Sequence, residues 1–180
     1  MKSPNGTGYA LCGLRRHFIP AHVKMSKVTE EQTMRRVDYM IGPKEFVTLK
    51  AEQFMQDAVW YYTIEDTGDT LAQAIVDGGF GSVPIVAKDG EVVGIVSEFD
   101  LLNAIMEGRE LAKVTAGDIM TKGKVSVTRD TPATEIIHLL QSKHLIRVPV
   151  IDTEGRLVGV VARRDLLLGY LRATEAIWTF

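Results

Sequence analysis

The chain has 180 residues, of which 46% are hydrophobic and 24% charged, a composition that excludes a disordered protein and is typical of a globular one. Its formal net charge of −2 excludes a general attraction to nucleic acid or to an anionic membrane, so any anion site must be local. The single cysteine, Cys12, cannot form an internal disulfide, and no export signal or apolar run of about 18 residues is recognisable. We therefore expect a cytoplasmic protein without a membrane span.

The first 50 residues differ in pattern from the rest of the chain. Residues 1–26 mix glycine, proline and charge without periodicity, which predicts a loose arm. Residues 29–32 have the spacing of a capping box, and Met34, Val37 and Ile41 follow it as a helical apolar stripe. Residues 1–50 are thus predicted to form an arm and an amphipathic helix that docks on the main domain or on a second subunit.

The remainder of the chain is a tandem repeat. A shift of 65 positions, the separation of Asp100 from Asp165, aligns it with itself without a gap. The shift superposes Val83-Pro84 on Val148-Pro149, Gly90 on Gly155, Val93-Gly94 on Val158-Gly159, and Asp100-Leu101-Leu102 on Asp165-Leu166-Leu167. This recurrence predicts a duplicated unit of roughly 50 residues. The units are assigned to residues 51–107 and 117–172, with a connector at 108–116 and a tail at 173–180.

Both units predict the same elements in the same order. The first contains a strand at 60–64, a helix at 70–76, hairpin strands at 83–86 and 92–96, and a helix from about Glu98. The second contains a strand at 124–128, a helix at 134–142, hairpin strands at 148–151 and 157–161, and a helix from Arg163. Gly90 and Gly155 suit hairpin turns that require a positive φ. Since one β-α-β-β-α unit is too small to bury both faces of its sheet, we expect an α/β domain in which two units pack sheet to sheet with pseudo-two-fold symmetry.

This pattern resembles the CBS (cystathionine-β-synthase) domain, and its tandem occurrence resembles a Bateman module. The resemblance rests on a hydrophobic-Pro-hydrophobic strand, a turn glycine, a Gly-hydrophobic-hydrophobic strand and a closing Ser/Thr-x-x-Asp. The first copy closes with Ser97-Glu98-Phe99-Asp100, whereas the second departs from the pattern with Ala162-Arg163-Arg164-Asp165. The resemblance implies a regulatory protein that binds AMP, ADP, ATP or a related adenosyl compound between the motifs, commonly dimerises, and acts on a partner protein rather than as a catalyst.

Asp100 and Asp165 are the fixed points of the repeat. An ionised carboxylate offers two acceptor oxygens, which suit the paired hydroxyls of a ribose. The same residue at a helix start can instead form a capping pair with Ser97, without any ligand. Asp165 is retained beside Ala162, which has no side-chain acceptor, and this favours the ribose hypothesis.

Four residues are candidates for phosphate binding: Ser97, Arg147, Arg163 and Arg164. A hydroxyl beside helix N–H groups suits an anion, and guanidinium groups bind phosphate through several directed donors. The family often places a basic residue at the position of Arg147. Each arginine could equally be an exposed solvated charge. Ala162-Arg163-Arg164 of the second copy has two cations and no hydroxyl where the first copy has Ser97-Glu98-Phe99. The Asp165 site is therefore expected to accept a more highly charged phosphate chain than the Asp100 site.

The candidate residues for the walls of an adenine-binding pocket are chosen from the resemblance alone. Family members use the start of each unit and the segment around the proline strand, and one aspartate can face walls from the opposite repeat. The adenine-binding candidates are Met55, Trp60, Phe80, Gly81, Val83, Met120, Val125, Leu145, Ile146 and Val148. Most of these would be core residues in any case. The aromatic run at 60–62 could stack on a base or cover a dimer face.

No catalytic site or metal site is expected. The four histidines lack the ligand spacing of a metal site, and neither a P-loop nor a nucleophile elbow occurs. One alternative stays open for the whole chain. It could be a ligand-free dimerisation or assembly module in which both aspartates only start helices and residues 1–50 bind the partner.

Overall fold

The computed structural model describes residues 24–25, 46–123 and 125–175. A two-residue strand, β1 (Lys24–Met25), precedes the first repeat. That repeat comprises β2 (Trp60–Thr63), α1 (Gly68–Gly78), β3 (Ser82–Val86), β4 (Val92–Ser97) and α2 (Glu98–Met106). Short 3-10 turns occur at Ala51–Gln53 and Leu111–Lys113.

The second repeat has the same order of elements. It is led by a short helix, α3 (Ala116–Ile119), and by β5 (Thr121–Lys122). The repeat itself comprises β6 (Val127–Thr128), α4 (Ala133–Ser142), β7 (Arg147–Ile151), β8 (Leu157–Ala162) and α5 (Arg163–Glu175). The predicted β-α-β-β-α order is confirmed in both copies, and so is the α/β class. In the described part of the chain, no helix combines the length and apolar character that crossing a membrane requires.

The strands form two sheets, one for each repeat. The first sheet has the order β1-β2-β3-β4-β5, and the second has the order β6-β7-β8. In each, the first strand of the repeat runs parallel to the proline strand, which forms an antiparallel hairpin with the next. Gly90 and Gly155 have φ values of 88° and 80° in these hairpins, so the predicted need for a positive φ is confirmed.

Two predictions about strands are wrong in detail. Lys24 and Met25 pair with Tyr61 and Trp60, although residues 1–26 were predicted to be a loose arm. The free edge of β2 offers unpaired backbone groups that any extended dipeptide can satisfy, so no side-chain pattern announces the pairing. β6 is also shorter than the predicted strand at 124–128, because its ladder with β7 contains only two residue pairs. The helix predicted after residue 29 lies outside the described residues.

Each sheet has a hydrophobic core against its own helices. In the first repeat, Leu71 and Ile75 of α1 and Leu101 of α2 are buried against β3 and β4. In the second, the equivalent contacts include Ile136 and Leu166. All five residues of β3 are buried, as expected for a central strand that is covered on both faces.

The two repeats are joined by backbone hydrogen bonds. The last strand of each repeat pairs with the segment that leads into the other repeat. Thr121 and Lys122, just before the second repeat, pair with Ile95 and Gly94 of β4 in the first. The segment before the first repeat makes the reciprocal contact, since Gln56 N donates to Val160 O at 2.9 Å and accepts from Val160 N through its carbonyl at 3.1 Å. This exchange relates the repeats by pseudo-two-fold symmetry and brings each closing aspartate near residues of the opposite repeat.

Candidate ligand-binding site

Asp100 lies in the first turn of α2 and takes part in its N-terminal cap. Its Oδ2 accepts hydrogen bonds from Ser97 N at 2.7 Å and from Ser97 Oγ at 2.6 Å. Asp100 N in turn donates to Ser97 Oγ at 3.3 Å, which completes a capping box. The predicted capping role is therefore confirmed for this residue. The other carboxylate oxygen, Oδ1, accepts from Thr121 Oγ1 of β5 at 3.4 Å, a contact with the segment that leads into the second repeat.

Asp165 has the same arrangement without a hydroxyl partner. Its Oδ2 accepts from Ala162 N at 2.8 Å, which is the half of the capping box that needs no side chain at position 162. Its Oδ1 accepts from Gln56 Nε2 at 3.2 Å. Retention of Asp165 beside Ala162 thus does not separate capping from ribose binding, because Asp165 supplies its own acceptor to the helix start.

The two aspartates therefore divide their oxygens in the same way. In each, Oδ2 serves the local helix, and Oδ1 faces a polar side chain from the segment leading into the opposite repeat. Gln56 and Thr121 are exposed and were missed in the sequence analysis. A signal was available, since the shift of 65 superposes them directly after Met55 and Met120. What could not be seen is that their segments cross to the opposite repeats.

The two methionines lie on these crossing segments. Met120 Sδ is 2.8 Å from the position that a Cβ on Gly94 would occupy, and Met55 Sδ is 3.0 Å from the equivalent position on Gly159. Each methionine thus covers a glycine in the closing strand of the other repeat. The structure therefore places Met55 on the Asp165 side and Met120 on the Asp100 side, with an adenine contact still a prediction.

Six of the other adenine-binding candidates fall into two groups. Val83 and Val148 are fully buried at 1% and 0% exposure, so neither presents accessible surface to a ligand in this structure. The side chains of Trp60, Phe80, Val125 and Leu145 are partly buried against the cores. Trp60 and Phe80 meet edge to face with their ring centroids 5.5 Å apart. An adenine contact by any of them stays a prediction.

Gly81 and Ile146 bring the two repeats together at the centre of the molecule. A Cβ on Gly81 would lie 2.5 Å from Ile146 Cδ1, so a larger residue at position 81 would force the end of the Ile146 side chain to move. The loops are also tied to the helices that start beside them. Glu98 N donates to Gly81 O at 3.1 Å, and Arg163 N donates to Ile146 O at 3.0 Å.

Arg147 crosses this centre. Its Cζ lies 4.9 Å from the centroid of the Phe80 ring in the first repeat, within the range of a cation–π contact. Its Nε is buried and has no hydrogen-bond partner among the described residues. Burial lowers the pKa of the Arg147 guanidinium, while the carboxylates of Asp165 and Glu98 act in the opposite direction. A guanidinium with a buried, unmatched N–H donor is suited to an anionic ligand that can accept a hydrogen bond from it.

The other two candidate arginines, Arg163 and Arg164, are the first two residues of α5. Arg163 Nε donates to Leu145 O at 2.7 Å, which holds its guanidinium beside the loop that carries Arg147. Arg164 is exposed on the same turn of α5. Arg147 and Arg163 are therefore brought to one loop, and Ser97 lies at the other aspartate. Among the described residues, no three His, Cys, Asp or Glu side chains gather closely enough to hold a metal ion.

The family is decided by a sequence match that covers both repeats. The profile of the CBS domain matches residues 44–107 and 116–172. The chain belongs to the CBS domain family. Among its relatives, the Bacillus subtilis protein YlbB is 34% identical over 123 residues, which span 66% of this chain and 80% of YlbB. MK0525 of Methanopyrus kandleri is 33% identical over 103 residues, spanning 57% of this chain and 53% of that protein.

Solved structures of other CBS domain pairs have the same fold. The CBS domain pair of MJ0100, in complex with 5′-methylthioadenosine and S-adenosyl-L-methionine, superposes with a TM-score of 0.60 at 22% identity, covering 66% of this chain and 97% of that one. CBSX2 in complex with AMP gives a TM-score of 0.61 at 23% identity, covering 68% and 96%. A CBS pair can also be a small part of an enzyme, since this chain aligns with only 23% of an inosine-5′-monophosphate dehydrogenase from Methanocaldococcus jannaschii.

Proposed function

We propose that this CBS pair is a regulatory module that binds an adenine nucleotide, AMP, ADP or ATP, and transmits its occupancy to a partner protein. Ligand binding is assigned to the regions around Asp165 and Asp100, named below the Asp165 cleft and the Asp100 cleft, with the ribose hydroxyls on the Oδ1 atoms. The observation that carries the proposal is the contact of each Oδ1 with the opposite repeat, by Gln56 at Asp165 and by Thr121 at Asp100. A ribose that replaces these contacts would bridge the two repeats.

The charges favour the Asp165 cleft for a phosphorylated ligand. Arg147 has a buried Nε without a partner in the described part of the chain, and a phosphate oxygen would satisfy it. Arg163, held by Leu145 O, and the exposed Arg164 would add further donors at the rim of the cleft. The binding of AMP by CBSX2 and of adenosyl compounds by the MJ0100 pair agrees in ligand class.

The proposed mechanism is a population shift. A ligand that touches both repeats favours one relative arrangement of the sheets, and the size of the response is limited by the difference in affinity between arrangements. The module itself has no catalytic role in this proposal. It acts through a second protein or through a domain to which it is joined.

The test uses conservative variants of capping aspartates. Asp165→Asn keeps one oxygen for Ala162 N but replaces the second acceptor with a donor, so the nucleotide affinity should fall roughly tenfold or more while folding is retained. Asp118→Asn is the matched control for Asp165→Asn, since Asp118 Oδ2 accepts from Thr115 N and Oγ1 in a similar capping geometry at the start of α3. The affinity for AMP, ADP and ATP would be measured by titration calorimetry.

Thermal unfolding gives a first screen of the ligand. A compound at 100 times its dissociation constant adds about 2.7 kcal/mol to the apparent stability. If no adenine nucleotide at millimolar concentration raises the midpoint, the proposed function is wrong. Equal affinity of the Asp165→Asn variant and the wild type would exclude the assignment of the ribose to this residue.

The alternative, a ligand-free assembly module, is favoured by the exposed apolar faces of α2 and α5. Leu102 and Met106 are 53% and 86% exposed, and their repeat equivalents Leu167 and Leu171 are 65% and 52% exposed. Such faces suit a homodimer, because an amphipathic helix needs a partner for its apolar side. Sedimentation and thermal unfolding, each with and without nucleotide, separate the two functions, since only the sensing module changes its assembly or its unfolding midpoint with ligand.

A further inference from the structure

The centre of the molecule is asymmetric in charge although its backbone is nearly symmetric. The repeat shift pairs Glu98 with Arg163, and both residues anchor the central loops through their N–H groups, to Gly81 O and Ile146 O. The same shift pairs Ser82 with Arg147. The first repeat thus contributes an acid and a neutral residue at positions where the second contributes two cations.

The Glu98 carboxylate is folded back toward this centre. Its Oε2 lies 3.4 Å from the position of a Cβ on Gly81, next to the Phe80 ring on which the Arg147 guanidinium rests at 4.9 Å. Asp100, two residues further along α2, presents Oδ1 to Thr121. A ligand whose ribose is bound at Asp100 and whose 5′ group points to the central loop would therefore meet the Glu98 carboxylate.

We propose that Glu98 is a specificity-determining residue that gives the two clefts opposite charge preferences. The Asp100 cleft takes an adenosyl compound whose 5′ group is neutral or cationic, such as a thioether or a sulfonium. The Asp165 cleft takes the 5′-phosphorylated nucleotide, because Arg147 and Arg163 supply the cations there. This inference rests on the proposed function and adds the chemical class of the second ligand.

Electrostatics supports this division in two ways. A carboxylate directed at a phosphate adds repulsion and leaves an acceptor facing an acceptor, whereas a sulfonium beside it gains an attractive contact. Burial lowers the pKa of Arg147, and the carboxylates of Asp165 and Glu98 both oppose this effect and favour its charged form. A phosphate on a ligand at Asp165 would meet the cations Arg147 and Arg163, whereas a phosphate on a ligand at Asp100 would meet the Glu98 carboxylate.

The experiment counts ligands per chain by titration calorimetry with ADP, S-adenosylmethionine and 5′-methylthioadenosine. The wild type should bind one ADP, weakened roughly tenfold or more in Asp165→Asn, and one S-adenosylmethionine, weakened to a similar extent in Asp100→Asn, with both bound together. In Glu98→Gln the Asp100 cleft should accept a second ADP. The same variant should lose roughly two- to fivefold in affinity for the sulfonium relative to the thioether. Glu107→Gln, at the exposed opposite end of α2, is the matched control and should change neither value.

The outcomes separate this inference from the proposed function. Two ADP molecules bound to the wild-type chain, or a single ADP bound to Glu98→Gln, would overturn the role of Glu98 while leaving nucleotide binding at Asp165 intact. An equal preference for sulfonium over thioether in wild type and variant would do the same. Failure of all three compounds to bind the wild type would overturn both.

Discussion

Replacement of Gly94 by alanine tests the exchange of segments between the repeats. Gly94 lies in β4 opposite Lys122 of β5. A Cβ at this position would be 2.8 Å from Thr121 O and 2.8 Å from Met120 Sδ. Ordinary contacts of this kind are about 3.5 Å or longer, so the backbone of the crossing segment has to move by about half an ångström or more.

The expected cost follows from two opposing effects. Overpacking of a filled site costs about 1–3 kcal/mol, whereas the loss of glycine from the unfolded chain contributes about 0.4–1 kcal/mol in the other direction. We expect a net loss of about 1–2 kcal/mol. Because the strained contact is with a backbone oxygen, rotamer changes cannot remove it. The variant should also displace Thr121 from Asp100 and so weaken binding in that cleft.

Gly159→Ala is the matched control at the equivalent position. There a Cβ would be 3.0 Å from Met55 Sδ and 3.2 Å from Gln56 O, so a flexible side chain takes up most of the strain. Urea unfolding followed by circular dichroism gives the free energy of unfolding of both variants. Gly94→Ala should be the less stable of the two. Equal stability of the two variants, or a Gly94→Ala protein as stable as the wild type, would refute the argument from the crossing segments.

Two further predictions concern single turns. His144 has a φ of 53°, and the repeat shift superposes it on Gly79, which has a φ of 62°. Because glycine adopts this left-handed conformation without strain, His144→Gly should raise the free energy of unfolding by up to about 1 kcal/mol in urea titrations. A loss of stability would contradict strain at this residue. Asp152 accepts hydrogen bonds from Arg156 N and Nε and from Glu154 N, each at 2.9 Å, and these hold the pKa of its carboxyl below its ordinary value. The ionised Asp152 carboxylate stabilises the fold above its unfolded pKa of about 4, and this stabilisation is lost as the pH falls through the lower folded pKa. The unfolding midpoint of Asp152→Asn should therefore fall less steeply on acidification than that of the wild type.

The sequence predicted the elements inside each repeat because their signals are local. Turn glycines at 90 and 155, β-branched runs beside them and apolar spacing in α1 and α4 all act within a few residues. The helix boundaries differ by up to two residues, as for α1, which begins at Gly68 rather than Thr70. Agreement between two copies strengthened each assignment, since a chance pattern would not recur at one offset.

Contacts made by short segments could not be predicted in this way. β1 and β5 contain two residues each, too few to show a period, and their partners are set by which sheet edge is free. Gln56 and Thr121 were overlooked for the same reason. Arg147 was identified by its position beside the proline of its strand. Its cation–π contact with Phe80 of the other repeat could not be predicted, because it depends on the tertiary arrangement.

The residues that both repeats share around Asp100 and Asp165 serve two separate roles, one in folding and one in the proposed binding. A cap needs only one carboxylate oxygen, and in both copies Oδ2 has that role, with or without a serine three residues earlier. The cap alone places no demand on Oδ1, which in both copies meets a polar residue from the segment leading into the opposite repeat, at superposed positions 56 and 121. A ligand hydroxyl at Oδ1 would leave the cap intact. Asparagine variants therefore separate the two roles, whereas alanine would remove both.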